Sequence, residues 1–329
     1  MYDIITIGSA TRDVFLSSKH FQVIKSPKFF TGKAECFTLG TKIPVEDIAF
    51  TTGGSGTNTV TTFVRQGFKG GAIVRVGDDL GGSAIIEELK KAKIDTSFVQ
   101  VDKKNHTAYA VILIVSTGER TILVFRGAGE KLNDKEVSWS KVRARWIYLA
   151  SLGGNLNFVR KAVVIKKKYK IKLVWAPGGA DLRLGFKKLQ PYLKFIDVFS
   201  CNQEEAAKLL GISYKKEKQI FKKFDEVIEG IAMMTKGPRG VSVSDGKYLY
   251  KAGVFKEQKV MDRTGAGDAF GSGFVAGLIQ TNKIEEAIRL GTANATSVVE
   301  YVGAKKGILT KQDFGDKRWK KLEINKKPL

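Results

Sequence analysis

Short runs rich in Ile, Val and Leu recur along the chain at 3–8, 71–76, 146–150, 171–175, 197–201 and 231–235. Continuous apolar runs of this length predict strands buried on both faces. Between them, apolar positions repeat every three or four residues, which predicts helices over 55–66, 82–92, 156–169, 203–210, 217–229, 267–280 and 284–301. Strand and helix in alternation predict βαβ units, and hence an α/β fold whose mostly parallel central sheet is covered by helices on both faces.

Two stretches break this rhythm. Residues 14–52 carry no helical period, and 107–126 reads as strand, turn and strand, with the turn at Gly118. Both predict strands of a small second sheet outside the main one. Such a sheet would close over a pocket as a lid and exclude water from it; an ordinary antiparallel extension of a sheet edge is the plainer alternative. Residues from Ile112 to Val115 and from Thr121 to Phe125 are apolar on both faces, more than one buried face requires, which predicts a homodimer joined through the lids.

Composition narrows the function. With 43% hydrophobic and 27% charged residues, and no apolar run approaching the ~18 residues of a membrane span, the 329-residue chain reads as a globular protein with no membrane role. The first residues enter a strand pattern directly, without a signal-peptide pattern, which predicts a cytoplasmic protein. Cys36, Cys201, His20 and His106 are the whole supply of cysteine and histidine, too few for a disulfide framework or a His/Cys zinc site. The net charge of +23 favours anionic partners, but the lysines lie in short clusters such as Lys166-Lys167-Lys168, interleaved with apolar residues at helical spacing. That is the pattern of solvated helix faces and predicts no specific nucleic-acid partner.

The densest local signal is the stretch from Asp262 through Arg263, Thr264, Gly265, Ala266, Gly267 and Asp268 to Gly273. Phe270, Phe274 and Leu278 recur every four residues after it, so the glycines open a helix. A helix start built from small residues presents unpaired N–H groups and the positive end of the helix dipole, an anion site. No Gly-Lys-Ser/Thr follows, and Phe270 replaces the third glycine of the dinucleotide fingerprint, so neither a P-loop nor an NAD site is indicated. Asp268 would weaken anion binding unless it has another task. Accepting the proton of an alcohol, while the amides of Gly265, Ala266 and Gly267 stabilise a transferring phosphoryl group, is such a task; simple compensation of the helix dipole is the alternative. A second turn, Gly53-Gly54-Ser55-Gly56-Thr57-Asn58, also opens a helix and offers amides and one carboxamide to a polyhydroxylated ligand, or simply caps the helix. Asp13 lies just beyond the first strand, where ligands bind in open α/β sheets.

Together these segments resemble the ribokinase-like, or PfkB, family of carbohydrate kinases. Gly53-Gly54 with Asn58 and Gly67 resembles its first signature and the stretch from Asp262 to Gly273 its second, over about residues 1–310. The resemblance implies a three-layer αβα sandwich with a small β-sheet lid: one kinase domain over 1–310, lid strands from about 14–52 and 107–126, and a basic C-terminal tail at 311–329. It implies ATP-dependent phosphorylation of a primary hydroxyl of a sugar, with Asp268 as catalytic base, Gly265 to Gly267 as anion hole, and Asp13, Gly53, Gly54 and Asn58 on the acceptor. Asn202-Gln203-Glu204-Glu205 resembles the family's Asn-x-x-Glu motif, which implies that Asn202 and Glu205 organise Mg2+ and phosphate through water. Thr235, Lys236, Gly237 and Gly240 resemble its nucleotide-binding turn, and Asn294 falls in a helix that lines the adenine pocket. Read without the family, Asn202 to Glu205 is a helix start with an acidic first turn. Arg263 replaces a common small hydroxyl residue, which bears on the K+ site that the resemblance implies around Asp262. A nucleoside acceptor is left open, as is, more remotely, a non-catalytic polyanion-binding protein.

Overall fold

The computed structural model describes residues 1–29, 32–116 and 119–329. Its first part runs β1 (Tyr2–Ile7), β2 (Thr11–Ser17), β3 (Gln22–Lys25), β4 (Lys33–Cys36), β5 (Asp47–Gly53), α1 (Ser55–Arg65), β6 (Gly70–Ile73), β7 (Arg75–Gly77), α2 (Leu80–Lys91), β8 (Gln100–Asp102), β9 (Ala108–Ile114) and β10 (Arg120–Phe125). Then follow β11 (Ala144–Leu149), α3 (Leu156–Tyr169), β12 (Lys172–Trp175), α4 (Gly179–Leu182), α5 (Phe186–Leu193), β13 (Val198–Asn202), α6 (Gln203–Leu210), α7 (Glu217–Asp225) and β14 (Ile231–Thr235). The last part holds β15 (Val241–Ser244), β16 (Tyr248–Ala252), α8 (Ala266–Thr281), α9 (Ile284–Val299), α10 (Lys311–Phe314) and β17 (Ile324–Pro328).

The main sheet has the order β17-β16-β15-β14-β13-β12-β11-β1-β6. From β6 to β14 its neighbours are parallel, so the C-terminal ends of these strands share one edge. Alternate residues of each strand enter opposite cores. Ile5, Ile7, Leu149, Leu173 and Phe199 pack with Phe158 and Phe221 on one side; Ile4, Tyr148, Val174 and Val198 pack with Phe63, Phe270 and Phe274 on the other. Each such side chain contributes about 1.5–3 kcal/mol on burial, and the result is the three-layer α/β sandwich that the alternation of patterns predicts.

A second sheet has the order β10-β9-β2-β5, and β3 pairs with β4 as a separate hairpin. Cross-strand partners share a face, so Asp13, Thr51, Ala110 and Val124 lie on one side of this lid, and Val14, Phe50, Val111 and Leu123 on the other. The turn read at Gly118 lies outside the described residues.

Three features differ from the sequence expectations. The run 71–76 is not one strand: β6 ends at Ile73, and β7 leaves the main sheet to pair with β8, as a chain at a sheet edge is free to do. The strands β15 to β17 extend the sheet in antiparallel fashion; β14, β15 and β16 follow one another through short connections, and β17 returns to the sheet edge only after α8, α9 and α10. Within the segment set apart as a basic tail, β17 pairs along β16, and Ile324 packs against the second core.

Candidate active site

The shared edge of the parallel strands is crowded by backbone. At the exit of β1, a Cβ on Gly8 would lie 2.9 Å from the amide nitrogen of Gly56, whose N–H donates to the Ser9 carbonyl at 3.0 Å. Gly54 caps α1 at φ 94°, and a Cβ there would lie 2.6 Å from the Ser9 oxygen. Only glycine meets both demands. This contact sets the axis of α1 and carries Asn58 across to the first turn of α8, where its Nδ2 donates to Asp268 Oδ2 at 2.9 Å. The oxygen of that carboxamide, Asn58 Oδ1, is buried without a partner.

Asp268 is half-buried, and desolvation pushes its carboxyl up from 3.8 to about 6, against the opposing pull of the Asn58 hydrogen bond. The turn that carries it has no side-chain cap: Gly265 is the N-cap at φ 77°, where a Cβ would run into Ala304. Nothing lies within 4 Å of where a Cβ on Gly267 would stand. There is thus room beside the amides of Gly267 and Asp268 at the positive end of a 16-residue helix, while the Ala266 N–H makes a long bond of 3.4 Å to the Arg263 carbonyl.

Asp13 is buried on β2, and burial raises its carboxyl above the ordinary value, partly offset by the hydroxyl of Thr11, which donates to Oδ1 at 2.8 Å. Gly53, on the paired strand β5, leaves the room: a Cβ there would run into Asp13 Oδ2. Lys305, almost 300 residues away in sequence, stands close enough to Asp13 to favour its charge. Its ammonium is buried and donates to Glu88 Oε1 at 3.1 Å and to the Thr52 hydroxyl. Burial lowers its pKa, with Glu88 and Asp13 pulling the other way.

On the far side of the Gly265–Asp268 turn is a cavity of about 220 Å3. Ala266, Gly267 and Phe270 form one wall, Thr292 and Thr296 of α9 another, and Thr235, Gly237 and Gly240 a third. The lining is mostly apolar, as a slot for a flat ring system is, and the Thr292 hydroxyl in it is buried without a partner. Nothing local in the sequence marks Thr292, Lys305 or Thr52; each is brought in by packing.

Two residues assigned to the nucleotide turn away. Lys236 donates to Ser242 Oγ at 2.8 Å and to Glu217 Oε1 at 3.1 Å. Asn294 is fully buried: its Nδ2 donates to the Ala269 carbonyl at 2.8 Å, and its Oδ1 accepts the Leu309 N–H at 2.9 Å, so it ties α9 to α8 and to the chain that follows. Asn202 and Glu205 form a reciprocal capping box at the start of α6, with 2.8 Å bonds from Glu205 N–H to Asn202 Oδ1 and from Asn202 N–H to Glu205 Oε2. Burial raises the Glu205 carboxyl above its ordinary value, and the Asn202 amide lowers it.

The profile of the pfkB family of carbohydrate kinases matches residues 27–311. A ribokinase of Haemophilus influenzae is 31% identical over 268 residues, covering 79% of this chain and 85% of that protein. Among solved structures, Arabidopsis thaliana ribokinase complexed with ribose and ATP superposes with a TM-score of 0.76 at 20% identity, covering 97% of this chain and 99% of its own. A nucleoside kinase of Burkholderia thailandensis, in complex with inosine, gives 0.77 at 15% identity, covering 96% and 97%.

Proposed function

This chain belongs to the pfkB family of ATP-dependent carbohydrate kinases, and from that premise we propose that it transfers the γ-phosphoryl group of ATP to a primary hydroxyl of a sugar. Asp268 takes the hydroxyl proton as the acceptor oxygen bonds to the γ-phosphorus; the bond from that phosphorus to the β,γ-bridging oxygen breaks, and ADP leaves. The amides of Gly265, Ala266 and Gly267 hold the oxygens of the transferring group, the Ala266 N–H exchanging its long bond to Arg263 for one of them. Asp13, Gly53, Gly54 and Asn58 receive the acceptor, and the cavity between Thr235 and Thr292 receives the base. The observation that carries this reading is one helical turn shared by two spaces: the carboxylate of Asp268, held by Asn58, on one side and the apolar cavity on the other.

Among the described residues, no group of three His, Cys, Asp or Glu side chains could hold a metal alone. Mg2+ is commonly bound by one or two carboxylates plus substrate phosphates, and Glu205, with only its Oε2 accepting the Asn202 N–H, is the carboxylate we assign to it through water. When bound, Mg2+ neutralises phosphate charge.

A second reading, a nucleoside acceptor, shares every one of these residues. ADP release measured with ATP and a panel of sugars and nucleosides tests both; release with no acceptor of either kind would overturn the kinase assignment, and release with nucleosides alone would replace the sugar by the nucleoside. The lid supports a homodimer: on its outward face Ile48, Phe50, Leu123 and Phe125 are each more than half exposed.

A further inference from the structure

Asp262 takes no part in the chemistry proposed above, yet it is only 2% exposed and joins three segments. Its Oδ1 accepts the Thr264 N–H at 2.9 Å and the Thr264 hydroxyl at 2.7 Å, and its Oδ2 accepts the Gly303 N–H at 3.2 Å. The guanidinium of Arg120 stands 3.2 Å from Oδ1. Thr264 leads directly into the Gly265 cap of α8, and Gly303 into Ala304, against which Gly265 packs. Arg120 opens β10, the outermost strand of the lid.

Both oxygens of the carboxylate are engaged: Thr264 and Arg120 crowd Oδ1, and the Gly303 N–H reaches Oδ2. A potassium ion bound to the same group would have to share a buried carboxylate with the guanidinium of Arg120 and lie beside a like charge, so the residues around Asp262 do not fit the K+ that the family resemblance implies. Nor do the neighbouring cations take up the role. Arg263 turns to Glu257 at 3.6 Å, and Lys305 to Glu88 and Thr52. A buried carboxylate is costly without a counter-charge, and among the described residues Arg120 is the cation in contact with it.

We propose that Arg120 is the built-in counter-ion of Asp262, standing in for a monovalent cation, and that it acts as a positioning residue that couples the lid to the anion-binding turn. By holding Asp262 it orders the path from Thr264 to Gly267, and because it is carried by β10, that order depends on the lid being in place. The inference rests on the kinase reading of the site.

The test compares wild type, Arg120→Gln and Arg120→Lys in tetramethylammonium chloride, with and without about 0.1 M potassium chloride at constant ionic strength. Turnover and melting temperature are read on the same preparations. Wild type should change less than about twofold with potassium and show no potassium-specific shift in melting, and Arg120→Lys should follow it. Arg120→Gln should turn over roughly tenfold to a hundredfold more slowly without potassium, recover when potassium is added, and melt higher only with potassium. A wild type that requires potassium, or is stabilised by it specifically, would overturn the proposal. So would an Arg120→Gln variant that matches wild type without potassium, or one that stays slow with it. Should Arg120→Gln not fold, the other two proteins decide. An error in the kinase reading looks different, with no ADP release in either salt, and the melting of wild type then decides the fate of Arg120 alone.

Discussion

Replacing Asp268 by Asn keeps the shape of the side chain and leaves an oxygen to accept from Asn58, but removes the group that can take a full proton. Acting as a general base, Asp268 contributes about 10²–10⁴ in rate, so turnover should fall by that factor. The ATP dissociation constant should stay level or improve, because a negative charge beside the phosphate site is gone. Stability gives an independent reading of the same residue. Its carboxyl is pushed from 3.8 to about 6 in the folded protein, so the folded state holds the proton more tightly than the unfolded chain. Keeping the group ionised in the fold therefore opposes folding, by up to about 3 kcal/mol above pH 6, and that penalty fades as pH falls from 6 towards 4. Relative to wild type, Asp268→Asn should melt higher at pH 8, and the gap should shrink at pH 5. The assay is turnover, ATP affinity and thermal unfolding on one preparation at the two pH values. Wild-type turnover itself should decline below about pH 6, as the base becomes protonated. Near-wild-type turnover in the variant would remove the base assignment, and a melting difference independent of pH would refute the desolvation argument.

Other outcomes follow from the same geometry. Asp13→Ala removes a charged hydrogen-bond acceptor worth about 1.5–3 kcal/mol, so acceptor KM should rise roughly tenfold or more while ATP binding holds; unchanged acceptor kinetics would leave Asp13 a packing residue. Gly53→Ala puts a methyl group against the Asp13 carboxylate and should reproduce that acceptor defect, with overpacking costing about 1–3 kcal/mol of stability; normal acceptor kinetics would show that the carboxylate does not need its present place. Binding to DNA or heparin should be weak, indifferent to sequence and strongly reduced by salt, since dispersed lysines neutralise phosphates without reading bases; a tight sequence-selective complex at physiological salt would contradict this. Light scattering at micromolar concentration should give a dimer mass, and charged substitutions at Phe50 and Leu123 should reduce it to a monomer; a monomeric wild type would leave the apolar lid face unexplained.

What the sequence determined by itself was local in its cause. The period of the central strands and helices, the glycine starts of α1 and α8 and the place of Asp268 in the first turn all depend on residues a few positions apart, and each is legible in the order of side chains. The tertiary structure decided which of those residues meet. Asn58 and Asp268 are 210 residues apart, and Arg120 reaches Asp262 only because the lid folds over the main sheet. Helix periodicity announces that α9 has a buried side without saying which residues line a cavity: Thr292 and Thr296, four apart, face it, while Asn294, half a turn away, binds α8 and the chain beyond. Lys305 shows the same limit in its charge, since it reads as one lysine among many in a basic segment and becomes a buried ammonium only when Thr52 and Glu88 close around it. Spacing along the chain sets what is adjacent on one element, whereas burial and pairing are properties of two or more elements packed together, and those were not present in any single stretch of sequence.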